Sequence, residues 1–181
     1  ALNTQTFTWS TDLKSGGSDL IAVGVHTDGS SGVIRSFNRF DLSSIPSTAT
    51  VSAVSFKLKT ANNSGTLPTT IEIVGLTTTN VMDSSVSWVK INSSANWTNG
   101  GGDVGEIWAT LTPVWSNYAE YVFSISNTFV AAVQDAIANR GGVLQFLLYA
   151  PEHEAAHPIP LTTGGFIRMY ARNTADPAEL T

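Results

Sequence analysis

The stretch VSFKLKT, residues 54–60, decides the fold class. In an extended chain Val54, Phe56 and Leu58 fall on one face, and Ser55, Lys57 and Lys59 fall on the other. That two-residue period belongs to a half-buried strand and not to a helix. The same pattern recurs outward in both directions. Toward the N-terminus lie VIRSFNRFDL (33–42), LIAVGV (20–25) and TFTW (6–9). Toward the C-terminus follow TIEIVGL (70–76), SVSWVKI (85–91), GEIWATL (105–111), EYVFSI (120–125), VLQFLLY (143–149) and GFIRMYA (165–171). Turn-forming clusters separate them, among them SGGSD, TDGSSG, NNSG and TNGGGD. About ten short strands at this spacing predict an all-β fold, with two antiparallel sheets packed as a sandwich.

One segment breaks the period. In SNTFVAAVQDAIANRGG (126–142) the apolar residues Phe129, Val133 and Ile137 recur every fourth position, which predicts one short amphipathic helix near 128–140. Asn127 is placed to cap its start and Gly141 to take a left-handed conformation after its end. With no repeat and no linker, the expectation is one domain over 1–181 with short polar arms at both termini. The last residues, RNTADPAELT, read as a mobile arm or as a strand laid on a neighbour.

Composition narrows the function. Charged residues are 13% of the chain, about half the usual ~25%, while Ser and Thr number 42 of 181. Hydroxyls therefore supply most of the polar surface. A net charge of −5 and a pI near 5.0 disfavour binding to nucleic acid through its phosphates. No apolar run is long enough to span a membrane, and no leader is visible. A start at Ala1 suits either loss of an initiator methionine or cleavage of a leader. The absence of cysteine excludes disulfides, thiolate metal sites and a cysteine nucleophile.

Residues 153–157 read HEAAH, the zinc-protease pattern, in which two histidines on one helical face hold the metal and the glutamate activates water. Pro151 and Pro158 bracket it, and Pro158 disfavours helical geometry at His157. At most one and a half helical turns fit, between two expected strands. The expectation is no cofactor and no metal, with His153, Glu154 and His157 the weak candidates for adventitious binding. No GxSxG motif and no meaningful pair of carboxylates accompanies them, so an enzyme is disfavoured.

Binding is the better prospect. Trp97 lies in ANWTNGGGD (95–103), among amides that suit a sugar-stacking ring, with Asn99 and Asp103 as hydrogen-bonding partners. Trp115 and Tyr118, in TPVWSNYAEY (112–121), form a second candidate cluster. For each ring alone, the reading as an anchor packed inward is slightly preferred. Arg35, Phe37, Arg39 and Asp41 share one face of a strand, where an internal network that fixes register is preferred over an acidic-sugar site.

RSFNRFDLSSIPSTATVSAVSFKLKT (35–60) and SSVSWVKINSSANWTNGGGD (84–103) resemble the corresponding segments of DNRLRE-type jelly-roll domains, a group related to alginate-type carbohydrate-binding modules. The closing helix and GGVLQFLLY extend the similarity over most of the chain; 151–164 departs from it. The resemblance implies a jelly-roll sandwich and a non-catalytic module. Similar jelly rolls serve on phage particles as capsid decoration (cement) or tail accessory proteins, or as glycan-binding appendages of secreted bacterial proteins. The expected partners are accordingly other virion proteins or a surface glycan, with no nucleic acid and no membrane. The location is the virion or otherwise extracellular, and a homo-trimer is natural at a capsid's three-fold positions.

Overall fold

The computed structural model describes residues 3–8, 11–14, 20–26, 32–63, 65–83, 85–155, 165–170 and 179–180. Its elements are β1 (Asn3–Thr8), β2 (Thr11–Lys14), β3 (Leu20–His26), β4 (Gly32–Asp41), β5 (Phe56–Lys59), β6 (Ile71–Leu76) and β7 (Val104–Leu111), then β8 (Glu120–Val122), β9 (Ser124–Ile125), α1 (Asn127–Asn139), β10 (Val143–Tyr149), α2 (Pro151–Ala155), β11 (Phe166–Tyr170) and β12 (Glu179–Leu180). The protein is all-β in class, and every strand pairing described is antiparallel. One large sheet runs β11-β3-β4-β10-β6-β7-β9, with β1 paired to β4 and β2 paired to β1. A small sheet runs β12-β5-β8.

Asn3–Thr8 pairs with β4 along its whole length, and Glu179–Leu180 pairs with β5 of the same chain. Backbone groups at both ends thus find ladder partners.

The centre of the large sheet is buried on both faces. Phe37, Leu147 and Val74 sit opposite one another across β4, β10 and β6, and they belong to a cluster with Met82, Val86, Trp88, Ile91 and Trp97. Their neighbours Phe40, Phe146 and Ile73 point the other way, into a core shared with Phe56, Leu58, Phe129 and Val133. The small sheet and α1 cover that first face; residues 77–103, the excursion between β6 and β7, cover the second. This explains VLQFLLY, whose near-continuous apolar run suits a strand with no solvent face. Aromatic rings fill the first core. Phe146 meets Phe40, Phe56, Phe129 and Trp108 at centroid separations of 5.4–6.3 Å. Trp108 lies over Gly75, where an added Cβ would fall 2.4 Å from the indole.

The helix forms for the reasons the spacing gives, with Phe129, Val133, Ala136 and Ile137 buried. Its cap is Ser126, not Asn127. Ser126 ends the strand run with extended angles (φ −85°, ψ 160°), so its hydroxyl, one residue earlier, reaches the free Phe129 N–H. The same hydroxyl donates to the Trp108 carbonyl at 2.6 Å, tying the helix start to β7. Ser126→Ala should therefore cost about 1 kcal/mol, read as a shift of the urea midpoint with an unchanged slope. An unshifted midpoint would show that the cap contributes nothing.

SVSWVKI (85–91) is not a strand. It folds into consecutive turns, with an isolated bridge between Lys90 and Asn96. Val86, Trp88 and Ile91 point inward, but Ser87 is buried beside them and Val89 and Lys90 are both exposed, so the two-residue period is lost. Short polar side chains capture the backbone N–H groups that a ladder would need. Asp83 accepts from Ser85 N–H at 2.6 Å, Ser87 Oγ from Val89 and Lys90, and Asn92 Oδ1 from Ser94 and Ala95. Such local bonds compete directly with sheet pairing.

Candidate binding cleft

Residues 77–103 lie across the sheet as a strap whose base is closed by the Thr77 N–H bond to the Asp103 carbonyl, 3.0 Å. Two arginines of β4 hold it down. Arg35 Nη1 donates to the Gly101 carbonyl at 2.6 Å, and its guanidinium lies 4.9 Å from the Trp88 ring centroid. Arg39 Nη1 donates to the Met82 carbonyl, also at 2.6 Å. The row on β4 is thus a network, but one that pins the strap and not the register of its own strand. Asp41 takes a separate part, accepting from the Ser43 N–H at 3.0 Å.

Trp97 is only 6% exposed. Its ring stacks on Phe37 with centroids 5.3 Å apart, and its indole N–H donates to the Ser87 carbonyl at 2.9 Å. A ring so placed presents no face to a sugar: Trp97 is the inward anchor and not the stacking platform that was its alternative. Asp103 closes the turn beneath it, accepting from Thr98 and Asn99 N–H at 3.1 and 2.8 Å, while Asn99 itself is exposed. The glycines beside it serve close approach: at Gly101 (φ +83°) a Cβ would lie 2.5 Å from the Trp88 ring.

Burial is the largest influence on Asp103 and pushes its pKa up, yet the Thr98 and Asn99 N–H groups together outweigh it and leave it below the ordinary 3.8. Asp83 moves the same way, led by the Ser85 N–H with Ser93 adding to it, against burial. A carboxylate whose pKa is lower folded than unfolded stabilises the fold fully above its unfolded value. That contribution disappears as pH falls through the lower folded value. Acid should therefore loosen the strap below about pH 4, and Asp103→Asn should flatten that limb of the stability-against-pH curve. An identical acid limb in the variant would remove Asp103 from the account.

The second aromatic cluster is mixed. Trp115 is half-buried, its N–H bonded to the Pro68 carbonyl and its ring edge-on to Tyr121 at 4.9 Å. Tyr118 is exposed, with a left-handed backbone (φ +59°). Pro151 opens α2, which covers the first three residues of HEAAH as far as Ala155; Ala156 and His157 lie outside the described residues. Glu152 accepts from Thr69 N–H, Thr69 Oγ1 and Thr70 N–H. Burial raises its pKa, and its own backbone N–H, followed by the Thr70 and Thr69 groups, brings it below the usual 4.5. This carboxylate fastens α2 to the approach to β6. Among the described residues no three of His, Cys, Asp and Glu gather in a metal-binding group.

A cleft of about 450 Å³ opens where the start of the strap meets the end of α1 and the start of β10. Thr78, Thr79 and Val81 form one wall; Asp135, Asn139 and Arg140 form the other. Gln145 fixes the first wall, accepting from Met82 N–H at 2.9 Å and donating to the Asn80 carbonyl at 2.8 Å. On the second wall Asp135 accepts from Asn139 Nδ2 at 2.9 Å and from Arg140 Nε at 2.5 Å. Those two bonds, Asn139 first, hold its pKa below the ordinary value against burial. None of these residues stood out in the sequence. The available signal was the spacing of Asp135, Asn139 and Arg140, which brings three polar groups together at the helix end. No protein-family model matches the chain, and no curated protein matches it.

Proposed function

We propose that this chain is a non-catalytic structural module with a jelly-roll sandwich fold, acting as an accessory subunit on the surface of a phage particle, in capsid decoration or at the tail. The observation that carries the reading is where the chemistry-bearing side chains go. Arg35, Arg39, Asp83, Asp103, Trp97 and Glu152 all bond within the chain, and holding the fold together is their evident work. The resemblance to jelly rolls found on particles supports it from the sequence side, and the small sheet facing the large one across the first core suits a sandwich. The test is reconstitution: purified protein added to particles lacking it should bind them and raise their resistance to heat. Protein that ignores such particles would remove the reading.

The cleft beside α1 favours a second reading, a glycan-binding module of a secreted protein. Polar groups converging on a concave site are the usual mark of a small-ligand site.

A further inference from the structure

We infer that the cleft between the strap and the end of α1 binds an uncharged sugar, a specification that rests on the second reading above. Its volume, about 450 Å³, falls in the roughly 300–1,000 Å³ range of small-molecule sites. The lining mixes hydroxyls (Thr78, Thr79), an amide (Asn139) and apolar side chains (Val81, Val143), which is what a ring with hydroxyl rims and C–H faces requires.

The polar groups are held in place and keep bonding capacity in reserve. Asp135 orients both its neighbours, and in doing so engages only Nε of Arg140 and Nδ2 of Asn139. Nη1 and Nη2 of Arg140 and Oδ1 of Asn139 bond to no described residue. They offer two donor nitrogens, each with two N–H groups, and an acceptor oxygen, which suits vicinal hydroxyls. The ligand's charge follows from the pair. Asp135 and Arg140 cancel at a separation of 2.5 Å, so an acidic sugar would gain an arginine and meet a carboxylate together. An uncharged ring takes the hydrogen bonds of both without that repulsion.

The experiment uses the full chain on an array of uncharged oligosaccharides and uronic-acid polymers, followed by titration calorimetry with the strongest hits. Binding to uncharged oligosaccharides is expected. Arg140→Met should weaken it about tenfold, the affinity equivalent of a lost charge-assisted hydrogen bond, and Asn139→Ala roughly fivefold, that of a neutral one. Both should leave the melting curve close to the parent's, because their side chains are on the surface. Tyr118→Asn removes the exposed ring of the other cluster while suiting its left-handed backbone, and should change nothing. Glycan binding untouched by the cleft variants would overturn the cleft and leave the glycan-binding reading standing. Binding confined to uronic acids would overturn the charge assignment, and no binding at all would remove both the site and the reading it rests on.

Discussion

Trp97→Ala should lower stability by about 3–5 kcal/mol, the usual cost of deleting a buried tryptophan, and the melting temperature by roughly 6–20 °C for a domain of this size. Three contributions are lost together. The indole fills space against Phe37, its stacking adds to that packing, and its N–H satisfies the Ser87 carbonyl. Because the strap is what covers Phe37, Val74 and Leu147, the cavity would lie at its seam with the sheet. Trp97→Phe separates the contributions: it keeps a ring on Phe37 and leaves the Ser87 carbonyl without its donor, a loss of about 1–3 kcal/mol. Thermal unfolding followed by far-UV circular dichroism reads both. An alanine variant that melts with the parent would return Trp97 to the surface and reopen it as a sugar platform.

Gly142→Ala should cost on the order of 3 kcal/mol, combining left-handed strain with overpacking. Gly142 has φ +80°, and an added Cβ would fall 2.4 Å from Ser43 N and 2.6 Å from Ser43 Cα, backbone atoms that cannot swing aside. Its N–H also closes the end of α1 on the Ala136 carbonyl at 2.8 Å. The neighbouring glycine supplies the control. Gly141 has φ +60° with nothing within 4 Å of the added carbon, so Gly141→Ala carries only the conformational cost, about 1–2 kcal/mol. Equal losses in the two variants would show that the contact with Ser43 is immaterial.

Much of the strand content was legible because alternation is a local signal. Phe56 and Leu58 point inward where VSFKLKT places them, and Phe129, Val133 and Ile137 form the buried stripe of the one longer helix. The signal failed where side chains compete with the backbone. Between 85 and 95 the side chains of Asp83, Ser87 and Asn92 take N–H groups, and no strand forms. At 126–127 the cap moved by one residue, because the choice between adjacent Ser and Asn depends on where the preceding strand lets go. Trp97 was ambiguous for a different reason. Amides around Trp97 read equally as sugar partners or as loop scaffolding, and only the position of Phe37 across the sheet separates the two. The cleft was hidden because its walls come from the strap, α1 and β10, brought together by pairings far apart in sequence.

The strap is inserted between β6 and β7, which are themselves neighbours in the sheet. Its closure therefore adds no new chain threading. The two strands can pair with the intervening segment looped out, and loop-closure entropy grows only slowly with the length of such a loop. Arg35 and Arg39 stand on that sheet, and in the native protein they donate to the strap's Gly101 and Met82 carbonyls. Opening of the strap alone would break its contacts with Phe37, Val74 and Leu147 while leaving the sheet pairings and α1 intact. Amide exchange would then divide the molecule in two, with Trp97 and Gly101 sharing one opening rate and Phe146 and Leu148, across the sheet, answering only to global unfolding.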